Sequence, residues 1–183
     1  MSDSGFTLFE TAIGRCGIAW RPEGLVGLHL PEANEAASLA RLRRRFPGLD
    51  PAEPPPEIAA AIARITAFLA GGKDDFRDLV LDYSSLGAWD RSVYEEARAI
   101  PAGSTITYGT LAARTGDPGM ARAVGQALGR NPWPIVVPCH RITAADGRTG
   151  GFSAPGGTAT KLKLLEIEGA LRVETLPLFG GAA

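Results

Sequence analysis

The stretch "TYGTLAARTGDPGMARAVGQALGR", residues 107–130, decides how this chain is read. It divides into two short helical runs, residues 108–114 and 118–128, joined by "TGD". Asp117 stands as an N-cap and Pro118 at the first helical position of the second run. Two short helices with a glycine-containing turn form a helix-turn-helix pattern, which by itself also describes any packed helix pair. The second run says more. At 100° per residue, Met120, Val124 and Leu128 form an apolar face flanked by Ala121 and Ala127. The other side carries Gly119, Arg122, Ala123, Gly125, Gln126, Gly129 and Arg130. Glycine costs ~1 kcal/mol in a helix interior. Placed on an outer face, small side chains let another molecule approach the backbone, and arginines at the edges suit a phosphate backbone. Packing against another part of the same chain is the alternative reading of that face.

Working outward, "AWDRSVYEEARAIPAG" (88–103) spaces Trp89, Val93, Ala97 and Ile100 as an amphipathic helix stopped at Pro101, and "STIT" (104–107) is a short extended piece. Toward the N-terminus, "TLFET", "CGIAW" and "GLVGLHL" within residues 7–30 read as strands separated by turns. Residues 32–45 and 57–69 read as helices, the first ending in arginines, the second stopped by Gly71 and Gly72. "DLVLDYS" (78–84) is a predicted strand. A boundary falls near residues 84–87, which gives an N-terminal α/β domain over 1–86, a second domain over 87–172 and a tail over 173–183.

Composition sets the class. The chain has 183 residues, 45% of them hydrophobic and 21% charged, enough to bury a real core. No apolar run approaches the ~20 residues that a membrane span needs, and "MSDSGFTLFE" lacks a basic, apolar leader, so a cytoplasmic location is expected. The net charge of −1 hides an asymmetry, with residues 1–84 more acidic than basic and residues 85–183 the reverse. The two cysteines, Cys16 and Cys139, are expected to be reduced thiols, and the Cys and His spacings match no zinc site. No metal and no cofactor are expected.

"NPWPIVVPCHRI", residues 131–142, brings Cys139 beside His140 behind an apolar "PIVV" that reads as a buried strand. A cysteine attacks as thiolate, and a free pKa of ~8.5 leaves a few per cent ionised at neutral pH, so a base or a cation is needed. Consecutive strand residues point to opposite faces, so His140 would act through a bend or a water, and Glu166 or Glu168 of "TATKLKLLEIEG" (158–169) could orient its ring. A buried inert thiol beside a core histidine is the competing reading. Cys16 and His29, inside predicted strands, are expected to be structural.

Together, "PCHR" (138–141), "GRNP" (129–132), the helix pair with Tyr108 and Arg122, and "LLEIEG" (164–169) resemble the O6-alkylguanine-DNA alkyltransferases, over about residues 88–170. The resemblance implies an α/β (α+β) fold: a small ribonuclease-H-like N-terminal domain followed by a helical, winged helix-turn-helix-like domain. It implies a monomer that enters the minor groove of double-stranded DNA, flips an alkylated guanine and takes the alkyl group onto Cys139. His140 would be the base through a water, Glu168 would hold His140, and Asn131 would tie the recognition helix to the cysteine turn. Arg122 would replace the flipped base in the stack. Tyr108 would crowd the rotating phosphate and donate to the leaving base, Ser153 would offer its backbone N–H to O6, and Ala121, Gly125 and Ile142 would complete the DNA and substrate contacts. The thioether so formed is a poor leaving group, so the protein would be consumed stoichiometrically. Where many members have a Tyr/Gly-rich loop, this chain has "GGFSAPGG" (150–157), two residues longer. Two alternatives lie within DNA binding: a non-catalytic relative, which commonly has tryptophan in place of the cysteine, and a helix-turn-helix regulator. A Cys-His hydrolase would need an oxyanion hole that the sequence does not reveal.

Overall fold

The computed structural model describes residues 3–145 and 149–170. The predicted tail over 173–183 lies outside the described residues. Three strands, β1 (Gly5–Thr11), β2 (Gly14–Arg21) and β3 (Gly24–His29), form an antiparallel meander in that order. The middle strand is covered on both faces. Cys16, Ile18 and Trp20 point into one core, while Ala19, on the opposite side of the pleat, joins Phe6, Leu42, Phe46 and Leu49. Helix α1 (Glu35–Arg45), capped by the Asn34 side chain on the Ala37 amide, lies on that second face. Phe46, just past it, presses on Gly27 so closely that a Cβ there would stand 2.0 Å from the ring, so only glycine fits.

Helix α2 (Pro56–Leu69) buries Ile58, Ile65, Phe68 and Leu69 in the larger core. The predicted strand over 78–84 is not one. Leu81 makes a single parallel bridge to Leu25, with Leu25 N donating to Val80 O and Asp82 N to Leu25 O. The pairing stops there because Asp82 turns its carboxylate back onto the Ser84 amide, an Asx turn that competes with further ladder bonds.

In the second half, α3 (Ala88–Arg98) packs against α4 (Tyr108–Arg114) and α5 (Ala121–Gly129). Strands β4 (Ile106–Thr107) and β5 (Ile142–Thr143) pair in parallel, and α6 (Gly157–Ile167) packs behind the cysteine turn. The larger core is continuous across both halves, joining Trp20, Leu25 and Ile65 to Val93, Val124 and Trp133. Trp133 Nε1 donates to Leu25 O at 2.8 Å, and Leu28 N donates to Pro132 O at 2.9 Å. The chain is thus a mixed α/β fold in which the N-terminal sheet supports the turn that leads to Cys139.

Candidate active site

Helix α4 is capped by Thr107, and α5 is reached through a 3-10 turn, Pro118–Met120, whose first amides are held by Asp117. That turn corrects the helical wheel. Three residues per turn place Met120 out of phase with Val124 and Leu128, and it is 38% exposed while they are buried. Arg122, Gln126, Gly129 and Arg130 are exposed, and Ala121 and Gly125 are partly buried at the rim.

The segment 134–137 is a buried turn, closed by a Pro134–Val137 bridge, and not the predicted strand. Asn131 builds it. Its Oδ1 accepts from Trp133 N at 2.9 Å, and its Nδ2 donates to Val137 O at 2.8 Å and to Cys139 Sγ at 3.3 Å. Ile135 sits at φ +79°, rare for a β-branched residue and costing about 1–3 kcal/mol. Such strain persists because Ile135 is itself buried and the turn is hydrogen-bonded at both ends. Cys139, His140 and Arg141 follow as a 3-10 turn, so the alternation expected of a strand does not apply to them.

Behind the cysteine lies a closed ionic cluster. His140 Nε2 is 2.8 Å from Glu168 Oε1, and Arg141 donates to both Glu168 oxygens at 2.7–3.0 Å and to Ile100 O. Glu166, the other sequence candidate, is exposed and pairs with Lys163. Burial alone would raise the Glu168 carboxyl, but the hydrogen bonds from His140 and Arg141 outweigh it and bring it down to about 2. Burial lowers His140 despite the neighbouring carboxylate, so its ring is neutral. A carboxylate only accepts, so Nε2 carries the proton and Nδ1, buried without a hydrogen-bond partner among the described residues, keeps its lone pair.

Lys161 is a site residue that sequence reasoning missed. Its ammonium is fully buried, donates to Ile142 O and lies 5.9 Å above the Tyr108 ring. Its position three, four and seven residues before Leu164, Leu165 and Glu168, on the buried stripe of α6, was the available signal. Burial pushes the Cys139 thiol up, while the Asn131 hydrogen bond and the Lys161 charge pull it back.

Cys139 opens onto a pocket of about 450 Å³ lined by Tyr108, Gly125, Leu128, Phe152 and Ser153. The Tyr108 hydroxyl donates to Gly151 O at 3.4 Å, which ties the pocket wall to the "GGFSAPGG" loop. Ile142, expected at the substrate, is fully buried, and only its carbonyl reaches the site, through Lys161. A larger cavity of about 610 Å³ beside Trp20 and Arg64 is lined by no thiol, hydroxyl or imidazole.

A buried cysteine on a pocket floor, backed by an imidazole and a carboxylate and flanked by a helix pair, is an arrangement that can bring a thiol to a group held in that pocket. Residues 88–170 match the family model described as "6-O-methylguanine DNA methyltransferase, DNA binding domain". A methylated-DNA--protein-cysteine methyltransferase of Methanothermobacter thermautotrophicus is 37% identical over 84% of this chain and 78% of its own. A DNA base-flipping protein of Thermus thermophilus is 43% identical over 71% of this chain and 88% of its own. Among solved structures, Mycobacterium tuberculosis OGT in complex with DNA aligns with a TM-score of 0.72 at 30% identity, covering 91% of this chain and 93% of that one. The O6-methylguanine-DNA methyltransferase of Pyrococcus kodakaraensis aligns with a TM-score of 0.70 at 29% identity, covering 90% and 99%. The chain belongs to the 6-O-methylguanine DNA methyltransferase family.

Proposed function

We propose that this protein repairs duplex DNA by moving the alkyl group of O6-alkylguanine, methyl above all, onto Cys139 in a single irreversible turnover. The observation that carries the reading is Cys139 on the floor of a 450 Å³ pocket with the neutral His140, Glu168 and Arg141 behind it. Through a bridging water, His140 Nδ1 takes the thiol proton, and Glu168 and the Lys161 ammonium stabilise the resulting charges. The thiolate attacks the alkyl carbon. An S–C bond forms, the C–O6 bond breaks, and the electron pair returns to the guanine, which the Tyr108 hydroxyl and the Ser153 N–H steady as it leaves. Nothing in the site can expel a thiolate from the thioether, so the thiol is not regenerated.

DNA reaches the pocket along α5. Its Gly125 and Gly129 face and the rim at Ala121 fit the minor groove, only ~6 Å wide, while Arg122 fills the stack left by the flipped nucleotide. Flipping costs a few kcal/mol, least where alkylation has already weakened the pair. In this reading residues 1–86 form a ribonuclease-H-like support and residues 87–172 a winged helix-turn-helix-like reaction domain, working as a monomer. Both cysteines are free thiols, as the reducing cytoplasm would keep them. The stoichiometry tests the reading. Incubated with excess duplex carrying O6-methylguanine, the protein should remove one lesion per molecule and stop, whereas Cys139→Ser should bind and remove none. Continued turnover, or no repair by folded wild-type protein, overturns it.

A further inference from the structure

Cys139 borders a second, smaller cavity, which Tyr108 does not line. About 50 Å³ in volume, it lies between β3, the end of α1 and residues 129–139. Leu128, Gly129, Ser153 and Cys139 line both this cavity and the substrate pocket. From the N-terminal half the cavity takes Leu28 and Leu30 together with three basic or titratable side chains that the substrate pocket lacks, His29, Arg41 and Arg45. Arg41 is neutralised by Glu32 at 2.8 Å. Arg45 has no carboxylate partner among the described residues, its Nη2 resting on the carbonyls of Arg130 and Asn131 at 3.3 and 3.1 Å. His29 is 4% exposed, and its Nε2 has no hydrogen-bond partner among the described residues. Glu32 lies 3.6 Å from that nitrogen, too far for a hydrogen bond. A buried polar atom without a partner costs about 1–3 kcal/mol, which a carboxylate would relieve in the tautomer that puts the ring proton on Nε2.

The reaction geometry gives this cavity a use. Displacement at carbon sets O6, the carbon and Sγ in line, so any further substituent on that carbon leaves sideways and needs room beside Sγ. The volume equals about one to two waters, each ~30 Å³, which suits a carboxylate and little more. We propose that this cavity is a subsite for an anionic terminus on the transferred alkyl group, carboxymethyl being the fitting case, with Arg45 and His29 holding its carboxylate. The inference rests on the reading of Cys139 as alkyl acceptor and extends it to a substrate class. The bond changes are those of methyl transfer, with the carboxylate a spectator. Arg45, itself exposed at the edge of the cavity, offsets the repulsion between that carboxylate and the attacking thiolate through a charge-assisted contact.

The test compares single-turnover rates on duplexes bearing O6-methylguanine, O6-carboxymethylguanine and the neutral isostere O6-carbamoylmethylguanine. Wild-type protein should transfer carboxymethyl at least about tenfold faster than carbamoylmethyl, the equivalent of ~1.4 kcal/mol. Arg45→Gln should erase that preference while retaining methyl transfer, Arg45→Lys should restore most of it, and His29→Leu should reduce it. Equal rates for the acid and the amide in the wild type overturn the subsite without recourse to any variant. A preference that survives both Arg45→Gln and His29→Leu also overturns it. Absence of methyl transfer by the wild type would instead defeat the underlying assignment of Cys139.

Discussion

Glu168 is the residue on which the site turns. A fully buried guanidinium and an imidazole share one carboxylate, so the side chain serves stability and chemistry together. Glu168→Gln keeps the shape and removes the charge. Arg141 is then left with only the longer pair to the half-exposed Asp75, at 3.7 Å, so the loss should approach but not exceed the about 3–5 kcal/mol of a broken buried pair. His140 exchanges an acceptor-only carboxylate for a neutral amide that can present either its oxygen or its NH2 to the ring and so no longer fixes the tautomer, and alkyl transfer should fall by about 10²–10⁴, the usual worth of a placed base. Denaturant melts and single-turnover rates on O6-methylguanine duplex measure both effects. The sequence offered two carboxylates on one helix, and spacing alone could not choose between them. The choice is made by the helix end, where Glu168 caps α6 and turns inward while Glu166 faces solvent. Lys161 escaped notice because a lysine on an apolar stripe is ordinarily a boundary residue whose ammonium reaches water.

At the scale of elements, α4 and the strands β1 to β3 were legible because turn residues bound short runs whose preferences act within a few residues. The failures share another cause. Residues 134–137 are apolar enough for a strand, yet Asn131 closes them into a turn, and residues 78–84 make one bridge before an Asx turn diverts them. In each case a side-chain amide or carboxylate competes for the backbone, which apolar pattern does not register. Helix α5 supplies the prediction. A Cβ on Gly125 would meet the Tyr108 ring at 3.8 Å, ordinary contact, so Gly125→Ala should add up to ~1 kcal/mol of helix stability. Gly125→Leu should instead fill the pocket and slow transfer from duplex DNA by about tenfold or more, ~1.4 kcal/mol in the barrier, without lowering the unfolding midpoint. A destabilised Gly125→Ala would place that face inside the protein's own packing.

Across the whole molecule, the N-terminal sheet is joined to the cysteine turn by Arg45, Leu28 and the Trp133 indole, contacts between residues far apart in the chain that no local pattern announces. One consequence is acid sensitivity. Burial, with Arg41 nearby, lowers His29 from 6.5 to about 4, so between these values the unfolded chain binds a proton that the folded chain does not. Stability therefore falls as pH drops through that window. Glu168 acts next, its depressed carboxyl contributing stability that is lost as pH falls from 4.5 toward about 2. Urea midpoints measured from pH 7 to 3 should decline throughout, and His29→Gln should flatten the upper part of the decline. Cys139 as the alkyl acceptor is the central assignment. Its most direct test is peptide mass mapping after incubation with duplex DNA carrying O6-methylguanine. One added methyl group on the peptide containing Cys139, located on its sulfur and absent from Cys16, is the predicted result, whereas an unmodified Cys139 alongside repaired DNA would contradict it.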